Sequence, residues 1–287
     1  MATTTNNTYK RKPSWLKIQL PKGETFTIVN ETIKKHKLHT ICTSGNCPNQ
    51  GECWAAGTAT FMILGDICTR SCKFCATKSG KPLPVNTTEP EEVAQSVKSL
   101  KLRHCVLTSV DRDDLDDFGA EMWAKTIRAI KKENPQTTIE GLIPDFNGNK
   151  DLIAKVIAST PELLSHNLET VERLTPQVRS RAKYKLSLEV IKQISASGIR
   201  SKSGIMLGLG ESEQEILQTM DDLLDVGCEV FTLGQYLQPS KQHLSVKEYV
   251  KPEKFEEYRE IGLKKGFRFV ESGPLVRSSY HASKHVK

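Results

Sequence analysis

Six of the eight cysteines fall into two triplets: Cys42, Cys47 and Cys53, spaced C-x4-C-x5-C, and Cys68, Cys72 and Cys75, spaced C-x3-C-x2-C. Thiolates this close along a chain converge on a metal centre, because soft ligands bound at about 2.3 Å must share one small volume. Each triplet stops one ligand short of four. The missing position is open to an exogenous molecule or to a residue from far along the chain. Two incomplete sites so near each other point to chemistry rather than scaffolding.

Disulfides and structural zinc are the competing uses of such clusters. The start, MATTTNNTYKRKPSW, is polar and has no apolar signal core, so the chain reads as cytoplasmic, where disulfide staples are uncommon. Zinc could take the first triplet with His36 or His39 as a Cys3His site. Structural zinc sites usually join two closely spaced ligand pairs, however, and neither triplet has that form. Iron–sulfur clusters fit the spacing better. Cys105 and Cys228 stand alone in HCVLTSV and GCEVFTL and are expected to be buried small hydrophobes.

The chain has 287 residues, enough for one large α/β domain or two ordinary ones. A hydrophobic fraction of 37% supports a core, while runs such as FMIL are far too short to span a membrane. The formal charge of +7, from 41 basic and 34 acidic residues, favours an acidic partner. No zinc-finger helix, helix-turn-helix or aromatic-studded RNA-binding strand is present, so nucleic acid is not the expected partner.

Residues 1–12 carry no apolar period and read as disordered; residues 13–57 read as an irregular arm. From Thr58 onward, strand-like runs at 58–67, 103–110, 137–143, 163–168, 202–208, 229–237 and 267–271 alternate with helical patterns. EPEEVAQSVKSLK places Pro90 early and acidic residues at the N-terminal end, as a helix start prefers, and YKLSLEVIKQISASG stops at Gly198. Such β–α repeats build a parallel sheet, either open and doubly wound or rolled into a full or partial barrel. Chemistry in these folds sits at the carboxyl ends of the strands. The second triplet follows the first strand directly and is therefore expected on that side.

The segment Cys68-Thr-Arg-Ser-Cys72-Lys-Phe-Cys75 resembles the cysteine loop of the radical S-adenosylmethionine (SAM) enzymes, with Phe74 at its aromatic position. Across Pro13 to Ala282, the motifs ICTSGNCPNQGECW, GDICTRSCKFC, TSVDRDDL, SHNLETV, GIMLGLGE, LGQYLQPS and GPLVRSSYHA resemble the lipoyl synthases of that superfamily. The implied fold is α/β: a partial (βα)6-type TIM barrel over residues 58–273. An N-terminal arm over 1–57 would carry the auxiliary-cluster cysteines, and a C-terminal tail over 274–287 would close over the active site.

The resemblance implies two 4Fe–4S clusters. Cys68, Cys72 and Cys75 would hold one, leaving an iron free to bind SAM; Cys42, Cys47 and Cys53 would hold an auxiliary cluster. Its fourth ligand would be a serine of Arg277-Ser278-Ser279-Tyr280, with Ser279 preferred to Ser278. By the same resemblance, the auxiliary cluster donates two sulfurs to carbons six and eight of an octanoyl chain on a carrier-protein lysine, at the expense of two SAM molecules. Ser109 and Asp111 are positioned like residues that contact the methionine end of SAM. Alternation along a strand would turn Asn167 and Glu169 into one pocket for ribose hydroxyls or the SAM ammonium. Gly208 and Gly210 would let backbone approach the adenosyl group, Glu211 would begin the next helix, and His166 would pack outside the barrel.

Implied partners are octanoylated lipoyl carrier domains (2-oxoacid dehydrogenase E2 or glycine cleavage H protein), an electron donor such as ferredoxin or flavodoxin, and a cluster-repair carrier; no membrane is expected. The alternatives are a radical SAM enzyme inserting sulfur into a small molecule, in the manner of biotin synthase, and a zinc-stabilised binding module.

Overall fold

Short runs of β-branched and aromatic residues alternating with amphipathic segments lay strands side by side, with helices packed across them. The computed structural model describes residues 11–17, 31, 39–44, 47–55 and 58–286. Of the stretch read as disordered, 1–10 lie outside the described residues. Those described contain β1 (His39–Thr40), β2 (Thr58–Ile63), β3 (Ile67–Cys68), β4 (Lys78–Ser79), β5 (His104–Ser109), β6 (Thr138–Leu142), β7 (Leu163–Ser165), β8 (Arg200–Leu207), β9 (Val230–Gln235) and β10 (Phe269–Gly273). Eight form one sheet in the order β1-β2-β5-β6-β7-β8-β9-β10. All neighbours in it are parallel except β1, which runs antiparallel to β2.

Helices Glu89–Ser99, Ala120–Glu133, Lys150–Ile157, Tyr184–Ala196, Glu213–Asp225 and Pro252–Lys265 each follow one parallel strand. That makes six βα units, after which β10 adds a seventh parallel strand. β1 and β10 remain the two ends of the sheet, so the architecture is an open partial barrel, as expected. The helix starts and stops follow local chemistry. Pro90 lies in the first turn of its helix beside Glu89, Glu91 and Glu92, and Gly198 takes a positive φ of 82° just beyond Ala196. Ser212 and Glu215 form a capping box that starts Glu213–Asp225; Glu211, expected to begin that helix, stands before its cap.

Two apolar clusters fill the fold. One gathers Phe61, Trp123 and Phe146 with Cys42 and Trp54 of the arm, so the arm shares a core with the first half of the barrel. The other gathers Leu207, Phe231, Tyr236 and Phe255. Cys105 and Cys228 are both buried, in keeping with their apolar surroundings.

The strand expected over 58–67 is interrupted. It ends at Ile63, after which Leu64 and Gly65 adopt positive φ values of 69° and 91°. The Leu64 N–H donates to Glu89 Oε2 at 2.7 Å instead of to a neighbouring strand. A carboxylate from the next helix thus turns the chain out of the sheet and aims the cysteine loop across the barrel mouth. β7 likewise ends at Ser165, short of the expected 168.

Candidate active site and cluster-binding loops

The second cysteine triplet occupies a loop closed at its base by pairing of β3 with β4, Cys68 opposite Ser79. Within it, the Cys75 N–H donates to the Cys72 carbonyl at 3.1 Å. The N–H groups of Arg70 and Asp111 point at Cys68 Sγ from 3.4 and 3.3 Å. Burial, and then the charge of Asp111, push the Cys68 thiol up to about 12; the two N–H contacts oppose that rise. Two other segments hold the loop's rim. Lys73 N–H donates to the Val178 carbonyl at 2.9 Å, Leu244 N–H to the Lys73 carbonyl at 3.2 Å, and His243 Nε2 lies 2.9 Å from the Cys75 carbonyl.

Arg70, between the first two cysteines of this triplet, is the loop's main anchor. Its guanidinium donates to Asp113 at 2.8 and 2.9 Å and to Asp145 at 2.7 and 2.8 Å, and lies 3.4 Å from Asp111. These carboxylates stand beyond the ends of β5 and β6, so one buried cation ties the loop to two barrel strands. Burial works against ionisation of Asp145, yet hydrogen bonds and charge from Arg70 prevail and hold it down at about 2. Asp111 moves the other way: burial raises it despite Arg70. One guanidinium cannot fully compensate three carboxylates. Sequence reading missed Arg70 and Asp113, although both sit inside quoted motifs, and Asp145, which follows the strand expected over 137–143.

The loop covers a cavity of about 620 Å³, within the range of small-molecule sites. Cys68, Cys72, Cys75, Phe74, Ser109, Asp111, Asn167 and Glu169 all line it. Asn167 and Glu169 reach it differently from the expected strand alternation. Glu169 lies past the end of β7 with a positive φ of 67°, held to β8 by hydrogen bonds to Gly204 and Met206. Burial raises its carboxyl pKa, partly offset by Arg179 and by a hydrogen bond from Asn167. Asn167 Oδ1 is buried without a hydrogen-bond partner, an acceptor left over for a ligand donor. Ser109 Oγ accepts from Trp123 Nε1 at 3.1 Å.

Gly208 is not among the residues lining the cavity. It has a φ of 96°, and a side chain there would strike Gln235 Nε2 and the Glu248 carbonyl. Packing against the loop after β9 therefore accounts for this glycine. Glu211 accepts from the N–H groups of Gly208 and Leu209. His166 is buried with its ring nitrogens 2.9 Å from the Ile143 carbonyl and from Ser187 Oγ on a covering helix; burial holds it neutral, near 4.

The first triplet lies on the arm. Cys47 N–H donates to the Cys42 carbonyl at 3.0 Å and Cys53 N–H to the Asn49 carbonyl at 2.9 Å. Burial and then repulsion from Cys47 raise Cys42 to about 11; burial, Cys47 and Cys42 raise Cys53 to about 12. These thiols are near enough to oppose one another's ionisation, a penalty that a cationic metal centre relieves. No three His, Cys, Asp or Glu side chains among the described residues draw together around a single-ion position. His36 and the side chain of His39 lie outside the described residues.

The segment after β10 returns to this arm across more than two hundred residues. Asn49 Nδ2 donates to the Leu275 carbonyl at 2.7 Å, Tyr280 Oη to Glu52 Oε1 at 3.3 Å, and Arg277 exerts its charge on Cys47. Gly234 makes room for the crossing, since a Cβ there would meet the Val276 carbonyl. Val276, Arg277 and Ser278 line the cavity; Ser279 does not. Among the described residues no helix is long and apolar enough to cross a membrane.

Residues 62–223 match the Radical SAM superfamily. The open barrel resembles methylornithine synthase (TM-score 0.55, 12% identity, 88% of this chain and 79% of that one). It also resembles HydG, a maturase of the FeFe-hydrogenase (TM-score 0.57, 12% identity, 91% and 74%); likeness at this identity concerns the fold alone. Sequence similarity goes further. The chain is 66% identical to lipoyl synthase of Treponema denticola over 96% of both chains, and 60% identical to that of Bacteroides fragilis over 98% of both. It is 57% identical to the mitochondrial lipoyl synthase of Nematostella vectensis over the full length of both. With its cysteine loop at the mouth of an open barrel and this identity along nearly all its length, the chain belongs to the lipoyl synthase family of the radical SAM superfamily.

Proposed function

We propose that the chain inserts two sulfur atoms at carbons six and eight of an octanoyl group carried on the lysine of a lipoyl carrier domain. Cys68, Cys72 and Cys75 hold a 4Fe–4S cluster with one iron left for SAM. The fit rests on an all-sulfur donor set, the N–H groups facing Cys68 Sγ, and the unpartnered Asn167 Oδ1 at the cavity wall. When bound and reduced, such a cluster would supply the electron that splits SAM into methionine and a 5′-deoxyadenosyl radical, which removes one hydrogen from an octanoyl carbon for each sulfur inserted.

The chain's own residues bind and orient. Asn167 Oδ1 accepts from the SAM ammonium, Glu169 takes ribose hydroxyls, and Ser109 and Asp111 border the methionine end. Arg70 keeps the loop in register with β5 and β6. Phe74, Met206 and Val276 form apolar wall, which suits an octanoyl chain and limits water near the reacting carbons. Gly208 acts through packing of the loop after β9.

Cys42, Cys47 and Cys53, with Ser279 or Ser278, hold the second 4Fe–4S cluster, which is the sulfur-donating substrate. An alkoxide matches iron less well than a thiolate, so the serine-bound iron is the easier one to release. The observation that carries this reading is the return of residues 275–280 to the arm, with Leu275 on Asn49 and Tyr280 on Glu52. The carrier domain is acidic and meets a chain of formal charge +7. The electron donor is ferredoxin or flavodoxin, a separate carrier rebuilds the consumed cluster, and the setting is cytoplasmic; the units are the arm 1–57, the barrel 58–273 and the tail 274–287.

The test is isotopic. The second cluster is assembled with heavy sulfide, light sulfide is supplied in solution, and the product is analysed by mass spectrometry. Both sulfurs carry the label and each chain yields about one lipoyl group, since a cluster is a finite stock. Unlabelled product, or many turnovers without repair, overturns the reading.

A further inference from the structure

Inside the barrel, one layer below the cavity, lies a charged cluster that the proposed reaction does not use. Lys202 on β8 and Glu140 on β6 meet across the intervening β7, with Nζ 2.9 and 3.1 Å from the two carboxylate oxygens. Both side chains are essentially without solvent exposure, at 0% and 1%. Two residues further along each strand, on the same face, Gly204 and Leu142 line the cavity. The ion pair therefore forms part of the floor beneath the reacting groups.

The third member of this cluster comes from the tail. His285 is fully buried, with Nδ1 3.4 Å from Lys202 Nζ and Nε2 3.5 Å from Glu271 Oε1. Its ring lies 5.6 Å from that of Phe269, and Arg200 donates to its carbonyl. Ala282 is also buried, and His281 Nδ1 stands 3.2 Å from Glu271 Oε2. The segment that passes the first triplet at Leu275–Tyr280 thus continues into the barrel interior. Ser278 and Ser279 lie on a strap fixed at both ends. Asn49 grips it upstream, and Glu271, Arg200 and Lys202 grip it downstream.

We infer that His285 is a positioning residue: seated against Lys202 and Glu271, it fixes the strap that presents Ser278 and Ser279 to the first cysteine triplet. The inference rests on the proposed role of that triplet. A serine is a weak ligand for iron, and a free strap would pay ordering entropy each time it bound. An interior anchor removes that cost beforehand, as preorganisation does for a ligand. Lys202 suits the task because its ammonium has three donor hydrogens and Glu140 uses only part of them. His285 Nδ1 accepts from the remainder.

The test uses the full chain with Cys68, Cys72 and Cys75 replaced by alanine, so that only the first cluster is measured. In this background iron is counted before and after brief mild oxidation, and the electron paramagnetic resonance signal of a 3Fe–4S product is recorded. His285→Ala gives up one iron in about four on oxidation and develops that signal, while the parent keeps its four. Tryptic cleavage after Arg277 rises about five-fold or more in His285→Ala, the mark of a loosened segment. His285→Asn, which retains an acceptor for Lys202, restores both properties. If His285→Ala keeps four irons and the parental cleavage rate, the latch is refuted. Should the parent hold no iron at all, the role of the first triplet fails instead, and the cleavage comparison alone then decides whether His285 fastens the strap. Should His285→Ala fail to fold, deletion of residues 282–287 and the His285→Asn variant carry the same two readouts.

Discussion

Arg70 and Asp145 meet guanidinium to carboxylate across 75 residues of chain, Nη1 to Oδ2 at 2.8 Å and Nη2 to Oδ1 at 2.7 Å. The pair joins the cysteine loop to the end of β6, and only a planar fork can satisfy Asp145 and Asp113 together. Arg70→Lys, though it keeps the charge, loses the paired geometry. Removing one partner of a buried ion pair costs about 3–5 kcal/mol. Arg70→Met is therefore expected to lower iron retention at the second triplet and cut 5′-deoxyadenosine formation about ten-fold or more, with Arg70→Lys only partly better. Iron analysis and chromatography check it. Wild-type values in both variants would show that this buried contact does not hold the cysteine loop in its working position.

Metal content separates the two triplets. Reconstituted without oxygen, the chain is expected to hold about eight irons, two four-iron clusters. Replacing Cys42, Cys47 and Cys53 with alanine halves that figure and spares SAM cleavage. Replacing Cys68, Cys72 and Cys75 also halves it but abolishes cleavage. Zinc in place of iron, or a single cluster in the unmodified chain, would contradict the assignment.

Asn167 tests the ligand side of the cavity. Its Oδ1 has no partner, and a hydrogen bond to a charged donor contributes about 1.5–3 kcal/mol. Asn167→Leu is expected to weaken SAM binding about ten-fold to a hundred-fold by anaerobic calorimetry while leaving iron content unchanged. Unaltered affinity would mean that the amide serves only to hold Glu169.

Acid exposes the Arg70 anchor. Asp145 is held at about 2, below its ordinary 3.8, so its contribution is fully present above the unfolded value and is lost as pH falls toward 2. The contribution is on the order of 2 kcal/mol. The stability gap between the parent and Asp145→Asn, from denaturant titrations of the metal-free chain, is expected to narrow as pH drops from about 5 to about 2. A constant gap over that range would show that ionised Asp145 does not stabilise the fold through Arg70.

Local pattern carried much of this molecule. Cysteine spacing marked both triplets because ligands to one centre must lie close along a loop or be brought there by a fold. The strand and helix runs marked an α/β barrel because side-chain periodicity follows backbone geometry. Pro90 and Gly198 marked helix ends because the backbone preferences of those residues are intrinsic.

Contacts between distant segments were decided only by the closed tertiary structure. Leu64 turns out of β2 because Glu89, from the next helix, takes its N–H. Glu169 enters the cavity in a left-handed conformation held by Gly204 and Met206, which no period of two could foretell. Gly208, legible as a site for close approach, is approached by Gln235 and Glu248. Ser278, rather than the preferred Ser279, lines the cavity. Arg70 gains three carboxylates because parallel strands far apart in sequence end at the same mouth of the barrel, and Lys202 gains His285 because the tail returns into the barrel interior. A motif records which groups a site requires; the register of the sheet and the path of the returning tail determine which of them meet.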